Sequence, residues 1–288
     1  MVLRLHELAH IGTPDSILRV CTQRFHASLI LLFHFITALR IDFHQCMATI
    51  LQAKKGVLYL VGSDEVVPVH NLLIMLNTVI VKDIEERINR KNSKNVTDIA
   101  LLKAISKYLS SVVGRPVSIR SITNYFKSNE RKTSPNTISN YIEALCESYL
   151  YYPVEVMDIS GKEVLKSNKK YYIVDPGIRN YILPKQFYDL GFTIENIVYL
   201  ELLRRRYNVN IGRSGRTEVD FIAKRNDVYT YIQVTASLVD ENTFNREIRP
   251  LKQIEDNYEK IILTLDRYTL GNYEGIKVIN IVDWLLEE

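Results

Sequence analysis

The stretch Glu218-Val219-Asp220-Phe221-Ile222-Ala223, a short polar turn, and then Tyr229-Thr230-Tyr231-Ile232-Gln233-Val234-Thr235 decides how the second half of this 288-residue chain folds. Both runs are apolar and rich in β-branched and aromatic residues, so they read as two strands. Ahead of them, Phe192 to Tyr207 carries Ile194, Ile197, Val198, Leu202 and Leu203 at helical spacing, together with Glu195. The order is therefore an acid on a helix, an acid on a strand, and a Gln-Val-Thr tripeptide on the next strand. Side chains two apart in a strand share a face, which lets Asp220 meet Gln233 and Thr235 on one side. Phosphodiester hydrolysis with divalent cations needs hard oxygen ligands on rigid elements and a nearby lysine. Gln233 is neutral and Thr235 carries no cation, so the spacing alone fits an ordinary hairpin core with an incidental Asp equally well.

Working outward, Val209 to Ile211 adds a strand before this pair. A helix through Arg246 to Asn257, a strand from Lys260 to Leu265, a strand from Ile276 to Ile279 and a closing helix with Trp284 and Leu285 follow. Strands followed by helix and strand predict an α/β domain with a mixed sheet over 176–288. Asp266 at a strand end, and Arg246 with Glu247, read first as capping or ion-pair residues and second as cleft residues.

Upstream, three helices in close succession are predicted from Asp98. Asp98 caps a helix with Ile99, Leu102, Ile105, Leu109 and Val112 on one face, ending at Gly114. Ser118 caps a second with Ile119, Ile122 and Phe126 inward. Ser134-Pro135 is a cap and first-turn pair for a third that buries Ile138, Ile142, Leu145 and Tyr149. A hairpin of Val154 to Met157 with Lys162 to Leu165 completes a winged helix over 98–175. In a DNA-reading version Asn136, Thr137, Ser139 and Asn140 face base edges, and Lys127, Arg131, Lys132, Lys166, Lys169 and Lys170 face phosphates. The segment 98–175 carries net +3 and 176–288 net −2, a weak basic bias. Glu143 and Glu147 on the third helix oppose phosphate, so a structural connector or protein-contact module is the rival reading.

With 47% hydrophobic residues and net charge +4, the composition predicts packed cores in two domains, without a strong electrostatic demand for nucleic acid. Cys21, Cys46 and Cys146 lack paired spacing, which excludes a disulfide framework and a zinc ligand set and predicts a cytoplasmic protein. The apolar run from Ala27 to Leu39 is broken by His34 and falls short of the about 20 residues a membrane span needs, so no membrane partner is expected. All six histidines precede residue 71, marking 1–76 as a segment of different character, mainly helical or poorly ordered. His6 and His10 share a helical face but have no third ligand, and read as incidental. Gly56 to Gly62 lacks the lysine of a phosphate-binding loop.

Across 77–288 the chain resembles the C-terminal half of a prokaryotic family of AAA-type P-loop ATPases. The matching residues are Asn77 to Arg87, Lys170 to Arg179, Glu195 to Val198, Glu218 to Phe221, Arg246-Glu247 with Pro250-Leu251, and Ile262 to Asp266. The resemblance implies a restriction-endonuclease-like C-terminal domain of unknown function following the winged helix. It also implies a nuclease-type site at Glu195, Asp220, Gln233 and Thr235, with Glu195 and Asp220 as metal ligands and Thr235 where an active enzyme has lysine. Lys224 or Lys252 is a candidate for a migrated cation. The ATPase core would precede Asn77 and is absent from 1–76, so ATP is not expected as a cofactor, and Mg²⁺ only if the site is active. Residues 77–97 would be a connecting helix. The expected function is a DNA- or protein-binding module with a degenerate nuclease-like site. An active Mg²⁺-dependent nuclease and an inactive gene remnant are the alternatives.

Overall fold

In the computed structural model the described residues are 57–59, 66–68 and 98–287, apart from 166–167, 184–189 and 216. The expectations for the rest of 1–76, its histidines and the glycines Gly56 and Gly62 included, and for the connecting helix 77–97 lie outside them. The chain divides into two units, Met1–Leu73 and Ile74–Glu288. In the first, β1 (Val57–Tyr59) and β2 (Val66–Pro68) form an antiparallel pair.

The second unit begins with three helices whose caps are those the sequence predicts. α1 (Ile99–Ser111) is capped by Asp98, whose carboxylate accepts from Leu101 N at 2.9 Å. α2 (Ile119–Ser128) starts in a capping box in which Ser118 and Ser121 exchange hydrogen bonds. α3 (Pro135–Glu147) starts at Ser134. Leu102, Ile105 and Leu109 of α1, Ile122 and Phe126 of α2, and Ile138, Ile142 and Leu145 of α3 are buried. Tyr149 does not join them: α3 ends at Glu147, and Tyr149, at φ 60°, is 52% exposed.

The ribbon behind these helices differs from the expected hairpin. β3 (Tyr151–Val154) pairs antiparallel with β5 (Lys170–Ile173). β4 (Val156–Asp158) leaves the ribbon and joins the C-terminal sheet, and 162–165 contributes a single bridge, Met157 to Val164. Burial decides this: Val156 and Met157 are buried once β4 lies beside the sheet. Tyr151, fully buried, ties the ribbon to α1 through Ser110 Oγ at 2.6 Å and Ser106 O at 2.7 Å. α4 (Pro176–Ile182), unforeseen in the sequence, leads on to α5 (Leu190–Arg204).

The remaining elements are β6 (Asn208–Ser214), β7 (Thr217–Arg225), β8 (Val228–Thr235), α6 (Glu241–Lys252), β9 (Glu259–Thr264), β10 (Gly271–Tyr273), β11 (Ile276–Asn280) and α7 (Ile281–Leu286). They build a seven-stranded mixed sheet in the order β10-β11-β9-β8-β7-β6-β4. β8 and β9 are parallel, so the chain must cross over between them, and α6 is the crossover. That helix opens at Glu241, five residues before the predicted start, because Asp240 accepts from Thr243 N at 2.8 Å. Neighbouring strand residues point to opposite faces. Phe221 accordingly packs against Tyr172 and Tyr199, and Ile222 joins Ile248 and Leu251 of α6 in a second core. Among the described residues no helix is long and apolar enough to cross a membrane.

The turn after β4 is clamped to the sheet by Lys162. Its ammonium lies 4.9, 4.8 and 5.6 Å from the ring centres of Tyr229, Tyr231 and Tyr258, pairs with Asp256 at 2.7 Å, and donates to the Tyr231 hydroxyl. Lys162→Met should cost about 1–2 kcal/mol, the range of a partly desolvated cation–π contact, read from urea unfolding midpoints. An unchanged midpoint would show that the clamp is not used.

Candidate functional site

The ladder between β7 and β8 runs from Arg225 and Val228 to Phe221 and Ile232, and beyond it the two strands are joined through side chains. Asp220 N donates to Gln233 Oε1 at 3.2 Å, and Val234 N donates to Asp220 Oδ2 at 2.8 Å. The fork brings Asp220 and Gln233 together as the strand spacing predicts. Gln233 is held on its other side by its amide, which donates to Glu247 Oε2 at 2.8 Å, and Arg246 grips Glu247 Oε1 through Nε and Nη2 at 3.0 and 2.7 Å. Thr235 is also buried, and its hydroxyl donates to Ser237 O at 3.3 Å. Asp266 ties the loop after β8, accepting from Leu238 N at 2.6 Å.

Glu195, buried on α5, is met by β5. Tyr172 OH donates to Glu195 Oε1 at 2.6 Å, and Lys170 Nζ lies 3.4 Å from the same oxygen. Residues 170 and 172 share one face of the strand, which is why both reach this carboxylate. Lys170 also pairs with Glu218 at 2.7 Å, with its side chain only 3% exposed. The turn after α1 closes over the acid. A Cβ built on Gly114 would stand 3.0 Å from Phe192 Cδ1 and 3.3 and 3.4 Å from the two Glu195 oxygens. Gly114, at φ +73°, is required both for that close approach and for its left-handed backbone.

Burial governs the electrostatics. Removal from water raises the Glu195 carboxyl, against the opposing pull of Lys170 and Tyr172. Burial raises Asp220 well above the usual carboxylate range, and the neighbouring Glu195 charge adds to the rise. Burial alone would lower Lys170, but Glu195, Asp220 and Glu218 more than offset it, and the ammonium is held above the ordinary lysine value. The result is a compensated cluster: carboxylates that resist ionisation around a cation that resists deprotonation.

Lys170 is the residue sequence reasoning misplaced. Expected among the phosphate contacts, it points into the protein instead. Lys224 and Lys252, the candidates for a migrated cation, form surface pairs with Asp227 and Glu274 at 2.9 and 2.8 Å. A lysine two residues before a tyrosine in a strand otherwise apolar and aromatic was the available signal: every position of β5 is buried. The donor set does not fit a divalent cation as it stands. Lys170 competes for the oxygens of Glu195, and among the described residues no group of three or more His, Cys, Asp or Glu is placed to hold a metal.

The predicted nucleic-acid residues divide in two. Lys127, Arg131, Lys132 and Asn136 are exposed around the start of α3, while Thr137 and Asn140 are half-buried, Thr137 with its hydroxyl 2.9 Å from Ser134 Oγ. Ser139 is exposed on the same helix, as are Glu143 and Glu147 towards its other end. Lys169 is half-buried and pairs with Glu155 at 2.9 Å. Lys166 lies outside the described residues. A cavity of about 660 Å³ opens beside α6, lined by Thr217, Glu218, Gln233, Asn242, Asn245, Arg246, Glu247, Arg249 and Pro250.

No solved structure matches the chain. An uncharacterized protein of Haemophilus influenzae is 38% identical over 213 residues, 74% of this chain and 51% of that protein. An uncharacterized protein of Methanocaldococcus jannaschii is 29% identical over 230 residues, 76% of this chain and 48% of that protein. The chain thus spans about half the length of the curated relatives it matches. Residues 74–188 match the domain of unknown function DUF8612, a stretch that contains Lys170 and Tyr172 and stops short of Glu195 and Asp220.

Proposed function

We propose that the unit containing residues 98–287 is a nucleic-acid-binding module in which a winged-helix-type segment is joined to a nuclease-like sheet domain whose site is silent. In this reading it corresponds to the C-terminal part of an AAA-type ATPase. The observation that carries the binding half is the surface at the start of α3. Lys127, Arg131 and Lys132 are exposed there and make no ion pair among the described residues, next to a helix N-terminus whose dipole favours phosphate. The β3–β5 ribbon takes the place of the wing. The silence of the acidic site follows from its compensation. Lys170 occupies the charge of Glu195 and Glu218, and Gln233 is committed to the Asp220 amide and to Glu247.

The test is anisotropy of a labelled DNA duplex with the full chain across a salt series, comparing the parent with Arg131→Gln/Lys132→Gln. Two lost phosphate contacts should weaken binding about ten-fold or more and flatten the slope of log K against log salt by about 1.8. Incubation with Mg²⁺ should leave the DNA intact. Binding indifferent to the double substitution would remove the α3 reading. Mg²⁺-dependent cleavage abolished by Asp220→Ala would overturn the silent site in favour of a working nuclease.

A further inference from the structure

We infer that the groove along the outer stripe of α6 holds the phosphodiester backbone of a nucleic-acid strand, with Arg249 and Arg246 as its phosphate contacts. The inference rests on the nucleic-acid reading above and adds to it a second surface, built on a different element from α3.

Asn242, Asn245, Arg246 and Arg249 recur at the three- and four-residue spacing of one helical stripe, all four are exposed, and all four line the groove. The opposite wall contains Glu218 and Gln233. The acids at first sight argue against an anion, but neither is uncompensated. Glu218 is paired with Lys170 at 2.7 Å. Glu247 has one oxygen gripped twice by Arg246 and the other accepting from Gln233. Arg249 is left with no ion pair among the described residues. Arg246 spends two of its five N–H donors on Glu247 while its side chain stays 71% exposed, so the remaining donors are open to solvent on a residue that lines the groove. The two Asn carboxamides supply neutral donors on the N-terminal side of the arginines.

Length fits as well as charge. From residue 242 to 249 the helix rises about 10 Å at 1.5 Å per residue, and one strand of a duplex presents a phosphate about every 3.4 Å along its axis. The stripe therefore spans about three phosphate spacings. A single small anion would leave most of it unused. Gln233 and Glu218 are fixed by their own partners, so the strand meets a wall already in place.

The experiment uses the full chain with labelled single-stranded and duplex oligonucleotides over a salt series, comparing the parent, Arg249→Gln, Asn245→Asp and Arg131→Gln/Lys132→Gln. Arg249→Gln should weaken binding about three- to ten-fold whatever the sequence and flatten the salt slope by about 0.7–0.9, the contribution of one phosphate contact. Asn245→Asp, which sets a carboxylate in the stripe, should weaken it at least as much. Both positions are exposed, so thermal melts should be unchanged. If only the α3 double substitution weakens binding, the α6 groove is overturned and the α3 reading stands. If only the α6 variants do, the groove stands alone. If none does, or the chain retains no nucleic acid, both fall. Competition by millimolar inorganic phosphate or a mononucleotide would overturn the strand as occupant in favour of a small anion.

Discussion

Lys170→Met should cost about 3–5 kcal/mol of folding stability at pH 8, the penalty for stripping one partner from a buried ion pair. The loss should shrink as the pH is lowered towards 5. The parent ammonium is held above the ordinary lysine value, so its stabilisation is complete below the unfolded lysine pKa of about 10.4 and is lost only as pH rises through the folded value. The neutral range therefore sees all of it. Without the ammonium, Glu195 and Asp220, already raised by burial, rise further. A carboxyl raised in the folded state binds its proton more tightly there than in the unfolded chain. Stability then falls as pH climbs from the ordinary carboxylate range through the folded pKa, and it is regained on acidification. Urea unfolding at pH 8 and pH 5 reads this directly. A deficit of the same size at both pH values would mean that lost packing, rather than stranded carboxylates, is responsible.

Asn196→Ala should cost about 2–5 kcal/mol and lower the melting temperature by about 5–15 °C. Asn196 is 1% exposed on α5, beside Glu195. Its amide donates to Ile173 O at 2.8 Å, and its carbonyl oxygen accepts from Ile173 N at 2.9 Å. These two backbone groups of β5 face away from β3, so Asn196 stands in for the next strand. Alanine strands both groups where Asn196 is 1% exposed and Ile173 fully buried, and each buried unsatisfied group costs about 1–3 kcal/mol. Because α5 and β5 are held together here, the same substitution should also loosen Lys170 and Tyr172 from Glu195. Calorimetry of the purified variant checks the magnitude, and a shift below about 2 °C would show that the ribbon and helix are joined chiefly by other contacts.

The helix caps Asp98, Ser118 and Ser134 were legible because capping is a local competition for the first free N–H groups, settled by residues within three positions. The runs 218–223 and 229–235 were legible as strands for a similar reason. Their apolar, β-branched composition has no other way to be buried, and β7 and β8 extend them by only a residue or two at most of their ends. The adjacency of Asp220 and Gln233 followed from strand periodicity across one short turn.

The identity of the cation at Glu195 was not legible. Lys170 and Glu218 are 48 positions apart, and only the docking of the β3–β5 ribbon against α5 and β7 brings them to 2.7 Å. Local pattern treats a lysine as a surface residue, since burial of an unpaired charge is prohibitive, and pairing is a property of the assembled fold. The departure of β4 from the ribbon was hidden for the same reason. Which partner a short apolar strand takes depends on which neighbour buries it, and β6 buries Val156 and Met157 from more than fifty residues away. Sequence alone thus determined the caps Asp98, Ser118 and Ser134, the strands β7 and β8 and the Asp220–Gln233 pair, all products of short-range sterics and hydrogen bonding. The tertiary structure decided that the acids are neutralised from within by Lys170 and roofed by Gly114, because the burial and charge compensation that produce this exist only once distant segments have packed together.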